Sequence, residues 1–128
     1  MILENFPAKP IMMEMSKKKT SSASTIAQSP PRLHAASLGP GGSVIRGIVI
    51  SRAVAEDLRR QGRDVVVCGP NLTANRSLAR DIEQSANASY KRCGPHPNAG
   101  PDALPHYQPD PRPPEGHTFY ETPNRKAV

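Results

Sequence analysis

Tryptophan is absent from this 128-residue chain, and it has only two phenylalanines and three tyrosines. Large side chains that fill a core are therefore scarce. Hydrophobic residues reach 36%, below the roughly 45–50% of ordinary globular domains. Such a chain can bury one modest core and leaves part of its length outside it. No apolar run approaches the roughly 18–20 residues of a membrane-crossing helix, so no membrane span is expected. Met1–Met15 has no basic head, and Pro7 and Pro10 interrupt its apolar residues, which argues against a secretory leader. Two cysteines, Cys68 and Cys93, are too few for a disulfide framework. These absences favour a reducing, cytoplasmic setting, and leave open delivery into another cell by a route that needs no leader.

What the chain has in excess is proline, 15 residues in all, and positive charge, with 17 Lys and Arg against 11 Asp and Glu. The charge is uneven. Residues 1–40 carry five basic and two acidic side chains, 41–93 carry nine and five, and 94–128 carry three and four. The middle segment thus brings arginine-rich surface with it. That balance suits polyanions, RNA among them, and equally suits a mildly basic protein with no such partner.

Residues 1–42 read as a disordered basic tail. Lys17-Lys18-Lys19 leads into a Ser/Thr run, then Pro30-Pro31 and Gly39-Pro40-Gly41-Gly42, a mixture that cannot bury enough apolar area to offset its ordering entropy. Residues 43–128 read as a compact α/β domain. Val44–Ile50 is a β-branched run of strand length. Ser51 is placed to cap a helix carrying Ala53, Val54 and Leu58, with Gly62 as its stop. Asp64–Cys68 is a second strand whose unbroken apolar run predicts burial on both faces. Asn71 or Thr73 caps a second helix to about Asn87, with Leu78, Ala79, Ile82 and Ala86 as its apolar stripe. Residues 94–116 form a long proline-rich loop. A last short strand follows, with His117, Phe119 and Glu121 on one face and Thr118 and Tyr120 on the other. The expected fold is α/β, a small sheet of about three strands with two helices and a long Pro-rich loop before the last strand.

A structureless loop of more than twenty residues points to function. Three of the four histidines, His96, His106 and His117, lie in this last third. A histidine pair can serve as base and acid in one turnover near neutral pH. Phosphodiester cleavage through a ribose 2′-hydroxyl needs such a pair and a cation for the charge that develops on phosphorus. His106 and His117 supply the pair. Arg112 or Lys126 supplies the cation, with Arg125 also close in sequence. Tyr107 and Tyr120 are candidates for stacking on bases. No cofactor is called for. The same histidines also suit a plain structural role in a loop and a strand.

Two other constellations compete. Cys93-Gly-Pro-His96 has metal-ligand spacing, with His106 and His117 to complete a tetrahedral set. Cys68, before Gly69-Pro70 and a helix start, is an alternative nucleophile if its thiolate is favoured there; a small buried side chain ending a strand is the plainer reading.

Val65-Val66-Val67-Cys68-Gly69, Ala74-Asn75-Arg76-Ser77-Leu78-Ala79, Leu104-Pro105-His106-Tyr107-Gln108 and Gly116-His117-Thr118-Phe119-Tyr120 together give a layout of compact α/β module, histidine-bearing loop and aromatic strand. In this, residues 64–126 resemble the C-terminal toxin domains of Rhs-type bacterial polymorphic toxins. The resemblance implies a toxin-like effector domain, with a cognate immunity protein as partner. Many domains of that class are ribonucleases that need no metal, and others modify nucleotides or attack proteins. The alternative expectation is a non-catalytic interaction module that binds a protein or nucleic acid through the proline-rich loop and the basic face.

Overall fold

The computed structural model describes residues 30–95, 100 and 102–128. The Lys17-Lys18-Lys19 tail and His96 lie outside the described residues. Eight elements follow in order: β1 (Arg32–Leu38), β2 (Val44–Val49), α1 (Arg52–Arg60), β3 (Val65–Cys68), α2 (Leu72–Ala86), β4 (Tyr90–Cys93), β5 (His106–Pro109) and β6 (Thr118–Tyr120). The strands form a single mixed sheet of six, in the order β2-β1-β3-β6-β5-β4. Only β3 and β6 run parallel; the other neighbours are antiparallel.

The expected sheet of about three strands is therefore corrected to six, in an α+β rather than an α/β arrangement. Each added strand has a local reason for being hard to read. β1 falls inside the segment assigned to the tail. Its Arg-Leu-His-Ala-Ala-Ser-Leu sequence has no β-branched residue and buries only Leu33 fully. It is a strand because it is hydrogen-bonded on both sides, Leu33 facing Val67 of β3 and His34 facing Val49 of β2. β4 is a four-residue edge strand with two charged side chains. β5 is interior, yet lies between Pro105 and Pro109. Its prolines sit at the boundary and the last position, and Pro105 contributes only a carbonyl, which accepts from the Tyr120 amide at 3.2 Å. A proline is excluded from a central strand only where its missing N–H is needed.

The two helices form where capping chemistry places them. The Ser51 hydroxyl accepts from the Val54 amide at 3.2 Å, and the Asn71 side chain accepts from the Ala74 amide at 2.9 Å. Gly62, at φ 78°, supplies the left-handed turn after α1. The buried face of α1 is Ala55 and Arg59, with Leu58 beside them; Val54 is exposed. In α2 it is Asn75, Ala79, Ile82 and Glu83.

Both helices cover one face of the sheet. Leu33, Val65, Val67, Tyr107 and Tyr120 pack there against Ala55, Ala79 and Ile82. Val44, Val66, Cys68, Leu104, Phe119 and Ala127 form a second cluster on the other face. The loop around Leu104 and the C-terminal segment close this face. The Arg125 guanidinium donates to the Ala103 carbonyl at 2.9 Å, and Val128 exchanges backbone hydrogen bonds with Val44 and Arg46 at the outer edge of β2. No helix of the described residues is long and apolar enough to cross a membrane.

Candidate active site at the N-terminal ends of β3 and β6

Because β3 and β6 are parallel, with Val65 opposite Thr118, the residues just before them meet at one end of the sheet. These are Asp64 and His117. The Asp64 carboxylate accepts from the His117 amide at 2.8 Å and from Nδ1 of its ring at 3.1 Å. Both side chains remain open to solvent, at 18% and 16% exposure. A ring that donates from Nδ1 to a carboxylate keeps its lone pair on Nε2 when neutral. That Nε2 lies 3.4 Å from the Arg112 guanidinium.

His106 comes in from β5. Its register partner is Phe119, so it shares the face on which His117 lies. The two imidazoles meet edge to face with centroids 4.6 Å apart, and Phe119 lies against both, 4.9 Å from His117 and 5.4 Å from His106. His106 is fully buried. Its Nε2 is 3.0 Å from Oε1 of Gln108, the same oxygen that accepts from Arg112 at 3.2 Å. An amide oxygen can only accept, so His106 carries its proton on Nε2. Arg112 is also bound by Glu115 at 2.6 Å. The site is thus layered: Arg112 outermost, His117 with Asp64 beneath it, and His106 behind, linked to Arg112 through Gln108.

A buried network holds the two segments that carry Asp64 and His117. Arg59 and Glu83, both 0% exposed, pair at 2.9 Å. Arg59 also donates to Thr118 Oγ1 at 3.1 Å, to the Arg63 carbonyl at 2.8 Å and to the Glu115 carbonyl at 3.1 Å. Thr118 Oγ1 donates in turn to Glu83 at 2.8 Å. One guanidinium therefore touches the residue before Asp64 and the residues on both sides of the Gly116-His117 step. Gly116 is needed here. Its φ is 90°, and a Cβ on it meets the Gly62 carbonyl oxygen at 2.7 Å.

The sequence-predicted residues separate cleanly. His106, His117 and Arg112 come together. Lys126 is exposed on the C-terminal segment that runs toward β2, away from the pair. Tyr107 and Tyr120 lie on the helix face, 5.8 Å apart and buried, across the sheet from the histidines. Burial raises the Tyr107 pKa further, with the Tyr120 phenol acting in the same direction. The Cys68 thiol is pushed up to about 12, first by burial and then by the Glu121 carboxylate. A helix start nearby does not offset that, so the thiolate is disfavoured at neutral pH. Cys68 and Cys93 are both free thiols. Among the described residues, no three His, Cys, Asp or Glu side chains are grouped to hold a metal ion.

Asp64, Gln108, Arg59 and Glu83 were not singled out from sequence. Asp64 reads there as the first residue of a strand. Arg59 was detectable by phase, because it lies four residues after Ala55 and next to Leu58, on the buried side of α1. Comparison of the chain with family models, with curated proteins and with solved structures finds no match in any of the three.

Proposed function

We propose that this chain is a toxin-like effector domain that acts as an endoribonuclease, without a metal, through His117. The observation that carries the reading is the Asp64–His117–Arg112 line: a carboxylate orients the ring through Nδ1, and Nε2 accepts a long, 3.4 Å hydrogen bond from the Arg112 guanidinium, which in this reading passes to the phosphate when RNA binds. In this reading Nε2 takes the proton of a ribose 2′-hydroxyl. The oxygen attacks the adjacent phosphorus, the bond from phosphorus to the 5′ oxygen breaks, and that oxygen takes a proton from solvent. The products are a 2′,3′-cyclic phosphate and a 5′-hydroxyl. Arg112 neutralises the charge that builds on phosphorus. His106, fully buried, is a positioning residue that fixes the His117 ring and ties it to Arg112 through Gln108.

The test is incubation of the full chain with labelled RNA; the full chain is required because β1 begins at Arg32. Cleavage to cyclic-phosphate ends is expected, blocked by 2′-deoxy substitution at the cut positions. General-base removal costs typically about 10²–10⁴ in rate, so His117→Ala is expected to lose at least about 100-fold. Induced expression in a bacterium should arrest growth with fragmented RNA, and His117→Ala should relieve it. A His117→Ala protein that cuts at the parental rate sinks the assignment.

One observation favours the second reading, a non-catalytic interaction module. Strand β2 leaves Ile48 75% and Val49 61% exposed at the sheet edge, and an apolar edge is a template for another strand. Intact RNA together with a stable complex abolished by Ile48→Lys would favour it.

A further inference from the structure

The two edges of the sheet differ in chemistry. The β2 edge is apolar, whereas the β4 edge is basic, and the basic groups continue onto both faces. Arg92 of β4 stands opposite Tyr107 of β5, so its side chain shares the helix face with that ring. Tyr90, two residues earlier, shares that face too, its ring 5.9 Å from Tyr107. Tyr107 lies beside Tyr120, and the Arg76 guanidinium of α2 sits 5.9 Å above the Tyr120 ring. Arg80 follows one helical turn later on the same flank. The opposite flank of α2 is occupied by α1, where Arg52 and Arg60 both reach Ser85.

Arg76, Arg80 and Arg92 therefore border one surface between α2 and β4, floored by tyrosine rings. Among the described residues, Arg76, Lys91 and Arg92 have no ion-pair partner, and that of Arg80 is the exposed Asp81 at 3.4 Å. On the other face of β4, Lys91 stands opposite Gln108 and is exposed. Gln108 is the residue that links His106 to Arg112. Positive groups thus run from Arg112 to Lys91, round the edge to Arg92, and on to Arg80 and Arg76. From β6 to the β4 edge is two strand spacings, roughly 10 Å.

We propose that the β4 edge is the track along which a single RNA strand leaves the His117 site, its phosphates held by Lys91, Arg92 and Arg80. The identity of the polymer rests on the ribonuclease reading; the track itself rests on charge and placement. A single strand is the form that fits, because a duplex, stiff over about 150 base pairs, does not turn round a sheet edge one strand thick. Tyr90, half-buried beside Arg92, offers a base a ring to stack on.

The probe is a fluorescein-labelled 2′-O-methyl oligoribonucleotide, which has no free 2′-hydroxyl and is not cut by this route. It is titrated with the full chain by anisotropy over a range of salt. Lys91→Ala/Arg92→Ala should lower affinity at least about tenfold. It should also flatten the plot of log Kd against log salt by about 1.4, from roughly 0.7 per phosphate contact on a single strand. Arg80→Ala alone should flatten it by about 0.7. Arg32→Ala/Arg46→Ala, which removes the same charge from the β1–β2 side, should leave both quantities unchanged. Equal losses from the two double variants reduce the effect to net charge and overturn the track, as does no loss from Lys91→Ala/Arg92→Ala. Displacement of the RNA by polyglutamate of matched charge also overturns it, in favour of an acidic protein. Unmodified RNA that is bound through Lys91 and Arg92 but never cut sinks the ribonuclease reading and keeps the track. Cleavage with unaltered binding sinks the track alone.

Discussion

The parallel pair β3 and β6 has two ends, and both are built on polar side chains drawn into the fold. At the N-terminal end, Asp64 and His117 keep part of their surface, and the Nε2 of His117 is met by the Arg112 guanidinium at 3.4 Å. At the C-terminal end the carboxylate is spent inside the protein. The Glu121 carboxylate accepts from the Gly69 amide at 3.2 Å and the Ala127 amide at 2.9 Å, and Asn75 donates to the Gly69 and Glu121 carbonyls. Glu121 is 6% exposed. The difference teaches that a buried carboxylate is not in itself a sign of chemistry. Glu121 stitches the C-terminal segment onto the sheet, whereas Asp64 orients a ring whose other nitrogen meets a guanidinium by the longer, 3.4 Å contact.

The largest expected effect strikes the foundation of the open end. Arg59→Met leaves the buried Glu83 carboxylate without its counter-charge, with Thr118 and Asn87 still donating to it, which costs about 3–5 kcal/mol, a large part of the stability of a small domain. Denaturant unfolding checks this. Arg59→Met/Glu83→Leu sharpens the comparison, because replacing both members of a buried pair by apolar residues is often neutral. Stability should return in the double variant. RNA cleavage should not, with the loss in kcat rather than KM, since the Arg63 and Glu115 carbonyls still lack their donor. Full cleavage by the double variant shows that the network serves folding only.

At the closed end, Glu121→Gln turns an acceptor into a donor facing one of two backbone amides. The expected cost is about 1–3 kcal/mol, with cleavage of RNA unchanged. A loss of kcat at unchanged fold breaks the comparison, because it makes the closed end part of the chemistry.

Cys68, on the closed side, gives a pH signature. Its pKa is raised from 9.0 in the free thiol to about 12 in the fold. The folded state then holds the proton more tightly than the unfolded chain. Its contribution is complete below about pH 9 and is lost as pH rises toward 12. Cys68→Ala should flatten the alkaline part of the stability curve, so that its loss relative to the parent is greatest near neutrality and shrinks as pH rises. Iodoacetamide near pH 8 should label Cys93 and spare Cys68 until the chain is unfolded.

Much of the helix-side frame was legible in sequence. Ser51, Gly62 and Asn71 mark their helices because capping is local chemistry. The Val65–Cys68 run marks a strand because it is buried on both faces. β1, β4 and β5 were not legible, since their strand character comes from partners distant in the chain rather than from β-branched residues. The histidine pair was visible as composition, and only the register of β5 against β6 brings the rings together. Period-two alternation already set Tyr120 on the face opposite His117, whereas Tyr107 and His106 lie in what reads as a loop and are separated only by the pleat of β5. Asp64 was hidden because the parallel pairing that brings it to His117 joins residues 53 positions apart.

The smallest expected effect tests whether stability and chemistry are separable at the closed end. Asn71 caps α2 at the C-terminal end of β3, its side chain accepting from the Ala74 amide. Asn71→Ala frees that amide and should cost about 1 kcal/mol. Asn75 still holds the Gly69 and Glu121 carbonyls, so the register of β3 against β6 is kept, and with it the approach of Asp64 to His117 at the opposite end. The midpoint of thermal unfolding should fall while the rate of RNA cleavage, measured well below that midpoint, stays at the parental value. If rate and midpoint fall together at that lower temperature, the two ends are coupled through the length of the parallel pair, and the closed end helps to hold the histidine in place.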